Sequence, residues 1–258
     1  MRPFARPAVY LVIATWAAAL AGDGRNIQGA SPESTTKVPT IIVKSVKPKE
    51  TSPTAAAAYG LTRNDYDRIV QTLPSLRRAI PIRETVRRAQ VRDRSVDVQV
   101  IGTTEQFAEA HPLKVINGRF FAEKDLKTLA NVAVIDRDTA RQLFIHGAPI
   151  GESIRIDGTH FLVVGVIADG SAPPIADDSG RRGGTAREVF IPLSTMRSRL
   201  GDSQMIGTEG TLQRETLELS RIEITVDEPA NLDRTAELIR RLLKRFHEKP
   251  DYAVEIVR

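Results

Sequence analysis

Two acidic pairs, Asp136/Asp138 and Asp177/Asp178, are the carboxylates spaced closely enough to suggest general acid–base work. A helix cap at Asp138 and a solvated loop at Asp177 account for them with less demand on the fold. The four histidines, His111, His146, His160 and His247, lack the paired spacing of metal ligands and read as surface or turn residues. No cysteine is present, which excludes disulfides, thiolate metal sites and cysteine nucleophiles. The stretch GRRGGT at 180–185 lacks the lysine and the following helix of a phosphate-binding loop, and no Gly-x-Ser-x-Gly elbow occurs. The expectation is a chain with no catalytic residues, no metal and no cofactor.

Charge is the stronger signal. Lysine and arginine number 37 against 32 acidic residues, a net charge of +5. Seven arginines fall between 77 and 94, at 77, 78, 83, 87, 88, 92 and 94. Such a strip can attract phosphates of nucleic acid or lipid head groups, or an acidic protein surface. No aromatic side chain lies within it to stack bases, so nucleic acid is not an expected partner. Arg87, Arg88, Arg92 and Arg94, with Arg181 and Arg182 from a later loop, form the candidate interaction surface; the plainer alternative is an exposed, solubilising strand pair.

The elements that would position these residues follow from periodicity. A strand is expected at Ile41 to Val46, then a helix opening at Thr62, where Asp65 three residues on completes a capping box and Tyr66, Ile69, Val70 and Leu73 share a face. Pro74 closes it. Strands follow at Ala79 to Val91 and Ser95 to Ile101, the second alternating Val96, Val98 and Val100 with polar residues. The middle offers a short strand at Asn131 to Ile135, a helix from Asp138 to Phe144, and a hairpin of Ser153 to Ile156 with His160 to Ile167 around Asp157-Gly158. Ala168 to Arg187 is a long loop of Gly, Asp, Ser and Pro, functional or disordered at that length. A strand at Val189 to Leu193 and a short helix from Ser194 or Thr195 lead to a strand at Leu217 to Val226. A helix at Asn231 to His247 and a strand at Tyr252 to Val257 close the chain. In that helix Leu232, Ala236, Ile239, Leu242, Leu243 and Phe246 form the apolar stripe, with Arg240, Arg241, Lys244 and Arg245 offset from it. The outer elements read as a split two-layer α/β unit interrupted by a separate middle piece.

At the amino terminus Arg2 and Arg6 precede an apolar run from Ala8 to Ala21, shorter than a span of roughly 20 residues. Ala19-Leu20-Ala21 before Gly22 offers the small residues of a signal-peptidase site, so residues 1–21 read as a signal peptide, or as a short membrane anchor. Residues 22–40 are polar and turn-rich and read as a tether.

Several spaced segments carry a family resemblance. They are VIGTTEQFAEAHPLKVINGRFF at 100–121, NVAVIDRDTARQLF at 131–144, PIGESIRIDGTHFLVVGVI at 149–167, EVFIPLSTM at 188–196, and the closing LSRIEITVDE and DYAVEIV. Together they resemble the MacB-like periplasmic core domain, the extracytoplasmic domain of MacB/FtsX-type ABC transporter permeases. The most distinctive pieces are Gly-Arg-Phe-Phe at 118–121 and Pro-Ile-Gly at 149–151. The resemblance implies an α+β fold: a split βαβ-type porter-like subdomain at 41–103 and 215–258, with an inserted mixed α/β subdomain at 104–214. It also implies a domain that passes conformational change across a membrane, with an ABC-type permease and ATPase subunits or a periplasmic adaptor protein as partners. In that family the transported cargoes include macrolides, peptides and lipoproteins. The sequence ends at Arg258 without the helical bundle that the family places next, so by itself it is expected to form no channel. The expected place of action is the periplasm or the outer face of the inner membrane. The alternative function, drawn from the long loop and the basic strip, is a periplasmic small-ligand or lipid-binding carrier.

Overall fold

The computed structural model describes residues 39–48, 57–145, 147–169, 187–208 and 211–257. The chain enters through β1 (Thr40–Ser45) and a short β2 (Ala57–Ala58), then forms α1 (Arg63–Thr72). Thr62 accepts from the Asp65 backbone N–H while an Asp65 oxygen accepts from the Thr62 N–H at 2.8 Å, the reciprocal capping box expected from the residue types. Ile69 and Leu73 are buried, but Val70 is 44% exposed and lies off the buried stripe.

Next come β3 (Leu76–Val91) and β4 (Arg94–Thr103), joined by a tight turn with Arg92 at φ 54°. The middle holds α2 (Gln106–Ala110), β5 (Val115–Gly118), α3 (Glu123–Lys127), β6 (Val132–Asp136) and α4 (Arg137–Leu143). The cap of α4 is Asp136, whose carboxylate accepts from the Thr139 N–H at 2.8 Å, and not Asp138. Strand β6 runs directly into the helix, so the last strand residue is the one left in the extended conformation that a cap requires.

The hairpin of β7 (Ser153–Ile156) and β8 (Thr159–Ile167) turns on Asp157 and Gly158, at φ 47° and 80°, the paired positive angles of a type I′ turn. Then follow β9 (Glu188–Pro192), α5 (Leu193–Arg199), β10 (Ser203–Thr208), β11 (Thr211–Thr216) and β12 (Arg221–Val226). A single strand over Leu217 to Val226 is therefore corrected. The chain bends at Leu217 to Ser220 and changes partners, β11 pairing with β10 and β2 while β12 joins the main sheet. Finally α6 (Leu232–Lys244) and β13 (Tyr252–Val257) close the described chain. Phe246 is 50% exposed with the Arg68 guanidinium 4.0 Å above its ring, so it lies outside the buried stripe.

The main sheet runs β13-β1-β12-β3-β4-β9-β6-β8-β5, with β7 bridging β8 and β3. Its first four members are antiparallel. Numbered by chain order among themselves they lie 4-1-3-2, with α1 following the first and α6 following the third: the split βαβ arrangement. Both helices cover one face. Ile41, Val43, Ile222 and Ile224 from the strands meet Leu61, Ile69, Ala236, Ile239 and Leu243 in one apolar core.

Beyond Ile82 the same β3 changes company. Arg83 to Val91 pair with β4, and Ala89 and Gln90 also meet β7. The pairings β3-β4-β9-β6-β8-β7-β3 then return to their start, so these strands close a small ring. A second core fills it, with Val98, Val100, Ile135, Phe161, Val163 and Val189 joined by Leu143 and Met196 from the helices. A third core, Ile80, Ile101, Phe107, Phe121, Val134 and Phe190, takes the alternate residues of β3, β4, β6 and β9, on the other face of those strands. The long strand β3 is common to both parts.

One sequence signature acquires a physical reason. In Gly-Arg-Phe-Phe, Gly118 sits at φ 74° and a Cβ there would lie 2.2 Å from the Val164 carbonyl oxygen. Only glycine allows that approach of β5 to β8. Arg119 then forks onto Asp125 at 2.7 and 3.3 Å, and Phe121 is buried in the third core. Among the described residues no helix is long and apolar enough to cross a membrane.

Candidate interaction surface

Alternation along a strand decides what the arginine strip can do, because successive side chains of β3 leave on opposite faces. Arg87 is 15% exposed and its Nε lies 2.5 Å from an Asp157 oxygen, which ties β3 to the β7–β8 turn. Arg88, on the other face, is 65% exposed and faces Asp97 at 3.3 Å. Arg92 sits exposed in the turn, and Arg94 reaches the Gln142 carbonyl at 3.4 Å. Arg83 is buried: its guanidinium donates to the Glu84 carbonyl at 2.5 Å, and burial, with Arg87 nearby, lowers its pKa to about 10. The seven arginines are thus spread over both faces and the interior. Arg181 and Arg182, with most of the loop 168–187 and Asp177/Asp178, lie outside the described residues.

Several of the other charged groups are matched to each other. Arg63 holds Asp202 at 2.5 Å and Glu218 at 2.9 Å. Arg221 bridges Glu84 and Glu223, and His111 meets Glu223 at 2.7 Å. Burial would raise the Glu223 pKa, but the His111 hydrogen bond and the Arg221 charge hold it below the usual carboxylate range. His111 and His247 are therefore not surface histidines. His247 is 7% exposed, between Asp251 at 2.7 Å and Asp65 at 3.1 Å. His160 remains exposed beside Ser153; His146 lies outside the described residues.

Asp136 and Asp138 diverge as well. Asp136 is committed to its cap, whereas Asp138 is half-exposed and pairs with Arg187 at 3.1 Å. Glu188, buried at the start of β9, is raised to about 7 by burial and by the neighbouring Asp136. Among the described residues no cluster of three or more His, Asp or Glu is arranged to hold a metal ion.

Two of the clefts on the described surface bear on binding. One, of about 260 Å³, lies between β5 and α4 and is lined by Ile116, Phe144, Pro149, Arg137 and Arg141. The larger, about 730 Å³, lies between α6 and β13. The basic residues of α6 signalled it in the sequence, but without showing which strand they would face.

Comparison with known proteins agrees with this architecture. The pyoverdine export ATP-binding/permease protein PvdT of Pseudomonas savastanoi pv. phaseolicola is 30% identical over 205 residues, covering 78% of this chain and 28% of that protein. The macrolide export ATP-binding/permease protein MacB of Bdellovibrio bacteriovorus is 26% identical over 154 residues, 60% of this chain and 21% of that protein. This chain thus spans between a fifth and a third of the length of these relatives. Among solved structures, the extracellular domain of the ABC-type transporter YknZ from Gram-positive bacteria superposes with a TM-score of 0.62 at 18% identity, over 84% of this chain and 99% of that one. The periplasmic region of MacB from Actinobacillus actinomycetemcomitans gives 0.61 at 19% identity, over 84% and 87%. At those identities the likeness concerns the fold. Residues 12–242 match the family described as the MacB-like periplasmic core domain, and the chain belongs to that family.

Proposed function

We propose that this chain is a non-catalytic extracytoplasmic module of an ABC-type export system, acting through protein–protein contacts. The observation that carries the reading is the pairing of a split βαβ layer with a closed ring through one continuous strand, β3. Such a body transmits displacement: a push on the ring reaches β12 and β1 through backbone hydrogen bonds, and α6 through the apolar core it shares with them. The hydrogen bonds that hold His111 and His247 to carboxylates within the fold support the same reading, since they tie these side chains into the packing. Residues 1–21 serve as export signal or anchor and residues 22–40 as tether. The porter-like part comprises 41–103 and 215–258, of which β4 and the far half of β3 also enter the ring that the inserted part, 104–214, completes. The partners are an ABC-type permease with its ATPase, or a periplasmic adaptor.

The test is crosslinking and co-purification of the protein expressed in its own host. Recovery of an ABC-type permease, its ATPase or an adaptor is the expected result; their absence, or turnover of a substrate by the purified chain alone, overturns the reading. Amino-terminal sequencing addresses the leader separately: a mature protein beginning at Gly22 marks cleavage, and an intact terminus in the membrane fraction marks an anchor.

A further inference from the structure

We propose that the cleft between α6 and β13 binds an extended acidic peptide segment of a partner protein, which adds to the sheet as a strand beside β13. The argument starts from register. Val46 donates its N–H to the Asp251 carbonyl at 2.7 Å, and the β1–β13 pairing runs Ser45↔Tyr252 through Thr40↔Val257. In an antiparallel ladder hydrogen-bonded pairs alternate with non-bonded ones, so Lys44/Ala253 and Ile42/Glu255 are bonded and Ser45/Tyr252, Val43/Val254 and Ile41/Ile256 are not. Tyr252, Val254 and Ile256 therefore turn their N–H and C=O groups away from β1. The opposite side of β1 agrees: Ser45 donates to Ser220 of the chain entering β12, as the same alternation requires. A guanidinium nitrogen of Arg240 donates to the Val254 carbonyl at 3.2 Å, which places that carbonyl on the outer side directly.

Among the described residues no strand pairs with that outer side, because β13 ends the sheet. An edge of this kind is a template for another strand. The side chains of Tyr252, Val254 and Ile256 are half-buried against the core beneath α6, leaving an apolar floor. Above it the cleft is lined by Arg240, Arg241, Lys244 and Lys249, against the acidic Glu237 and Glu248. Glu237 is shared between Arg240, at 3.6 Å, and Arg241, at 3.1 Å, and Lys244 and Lys249 have no ion pair among the described residues.

Charge selects the occupant. A second copy of this chain would bring an identical basic rim against this one, and like charges oppose that pairing. An incoming strand with carboxylates on alternate residues meets the rim with opposite charge while its backbone completes the ladder. Arg240 can leave the Val254 carbonyl for a peptide carboxylate, exchanging a neutral acceptor for a charged one. The inference stands on this cleft alone, so its failure leaves the transport reading untouched.

The probe is a fluorescein-labelled peptide of about eight residues alternating Glu with Thr and Val, titrated against the full chain by anisotropy. Saturable binding is expected, weakening by about tenfold between low and physiological salt, where screening takes hold. It should be lost when the alternate amides of the peptide are N-methylated. Val254→Pro removes an outward N–H, a change that edge strands tolerate, and should abolish binding. Arg241→Glu with Lys244→Glu, both on the exposed helix face, should weaken it at least as much as salt does without changing the melting temperature. Absence of saturable binding overturns the proposal. So does binding that survives N-methylation and Val254→Pro with the fold intact, which would mark adsorption by charge alone. A dimer seen by sedimentation that Val254→Pro dissociates would assign the edge to a second copy. Vesicles of phosphatidylglycerol that bind in place of the peptide would assign the rim to lipid.

Discussion

The Nε2 atom of His247 lies 3.1 Å from a carboxylate oxygen of Asp65, a residue 182 positions earlier in the chain. That oxygen also accepts from the N–H of Thr62 at 2.8 Å, so one carboxylate caps the start of α1 and fastens it to the end of α6. The other ring nitrogen faces Asp251 at 2.7 Å, whose second oxygen accepts from the Gly60 N–H at 2.9 Å. A local cap thereby becomes a link in a chain of hydrogen bonds joining both helices to the sheet.

Replacing His247 removes two buried hydrogen bonds and leaves each of two poorly solvated carboxylates one partner short. His247→Ala is expected to cost about 2–4 kcal/mol, measured by urea denaturation, with a smaller loss for His247→Gln, which retains one donor group. A cost near zero for both would mean that the linkage is incidental.

Glu188 should make the domain less stable as pH rises. Its pKa is about 7 in the fold against 4.5 for a free glutamate, so the folded state keeps a proton that the unfolded state has released. Stability is then lost progressively from about pH 4.5 to pH 7, by up to about 3 kcal/mol. Glu188→Gln lacks this term. Its advantage over the parent should be negligible near pH 4 and fully developed at pH 8, a comparison open to denaturation curves at a series of pH values.

Asp125 behaves with the opposite sign. The Arg119 hydrogen bonds, opposed by partial burial and aided by the Ala122 N–H, hold its carboxyl below the usual range. A lowered folded pKa contributes stability above the ordinary value of 3.8, lost as pH falls below it. Asp125→Asn is expected to cost about 1–2 kcal/mol at neutral pH. The gap should narrow on acidification below about pH 4.

Two glycines separate backbone strain from collision. Gly118 and Gly158 both have positive φ, at 74° and 80°, but a Cβ at Gly158 meets nothing within 4 Å whereas one at Gly118 strikes the Val164 carbonyl. Gly158→Ala should cost about 1–2 kcal/mol, the left-handed penalty alone. Gly118→Ala should cost clearly more, since β5 must draw away from β8. Equal melting temperatures for the two variants would contradict the close approach.

Legibility tracked the range of the interactions involved. Thr62 with Asp65, and Asp157 with Gly158, announce a cap and a turn within a few residues, and both formed as the residue types required. Asp136 and Asp138 are equally plausible α4 caps by residue type, and only the end of β6 decides for Asp136. Apolar periodicity does not reveal the hairpin of β10 and β11, because Ser203–Thr208 and Thr211–Thr216 carry no regular apolar alternation. The arginine strip looked continuous in one dimension, but alternation sends Arg87 and Arg88 apart and tertiary packing buries Arg83.

The order of amino acids alone determined four of the six described α-helices (α1, α4, α5 and α6), most strands, the α+β class and the family, because caps, turns and apolar periods act between neighbours in the chain. Which charges pair, which histidines are buried, and which strand is left at the edge of the sheet belong to the tertiary structure. Those outcomes depend on contacts across more than a hundred residues, such as Asp65 with His247 and Arg63 with Asp202. No local pattern encodes such a meeting; it exists only once β1, β12 and β13 have been laid side by side.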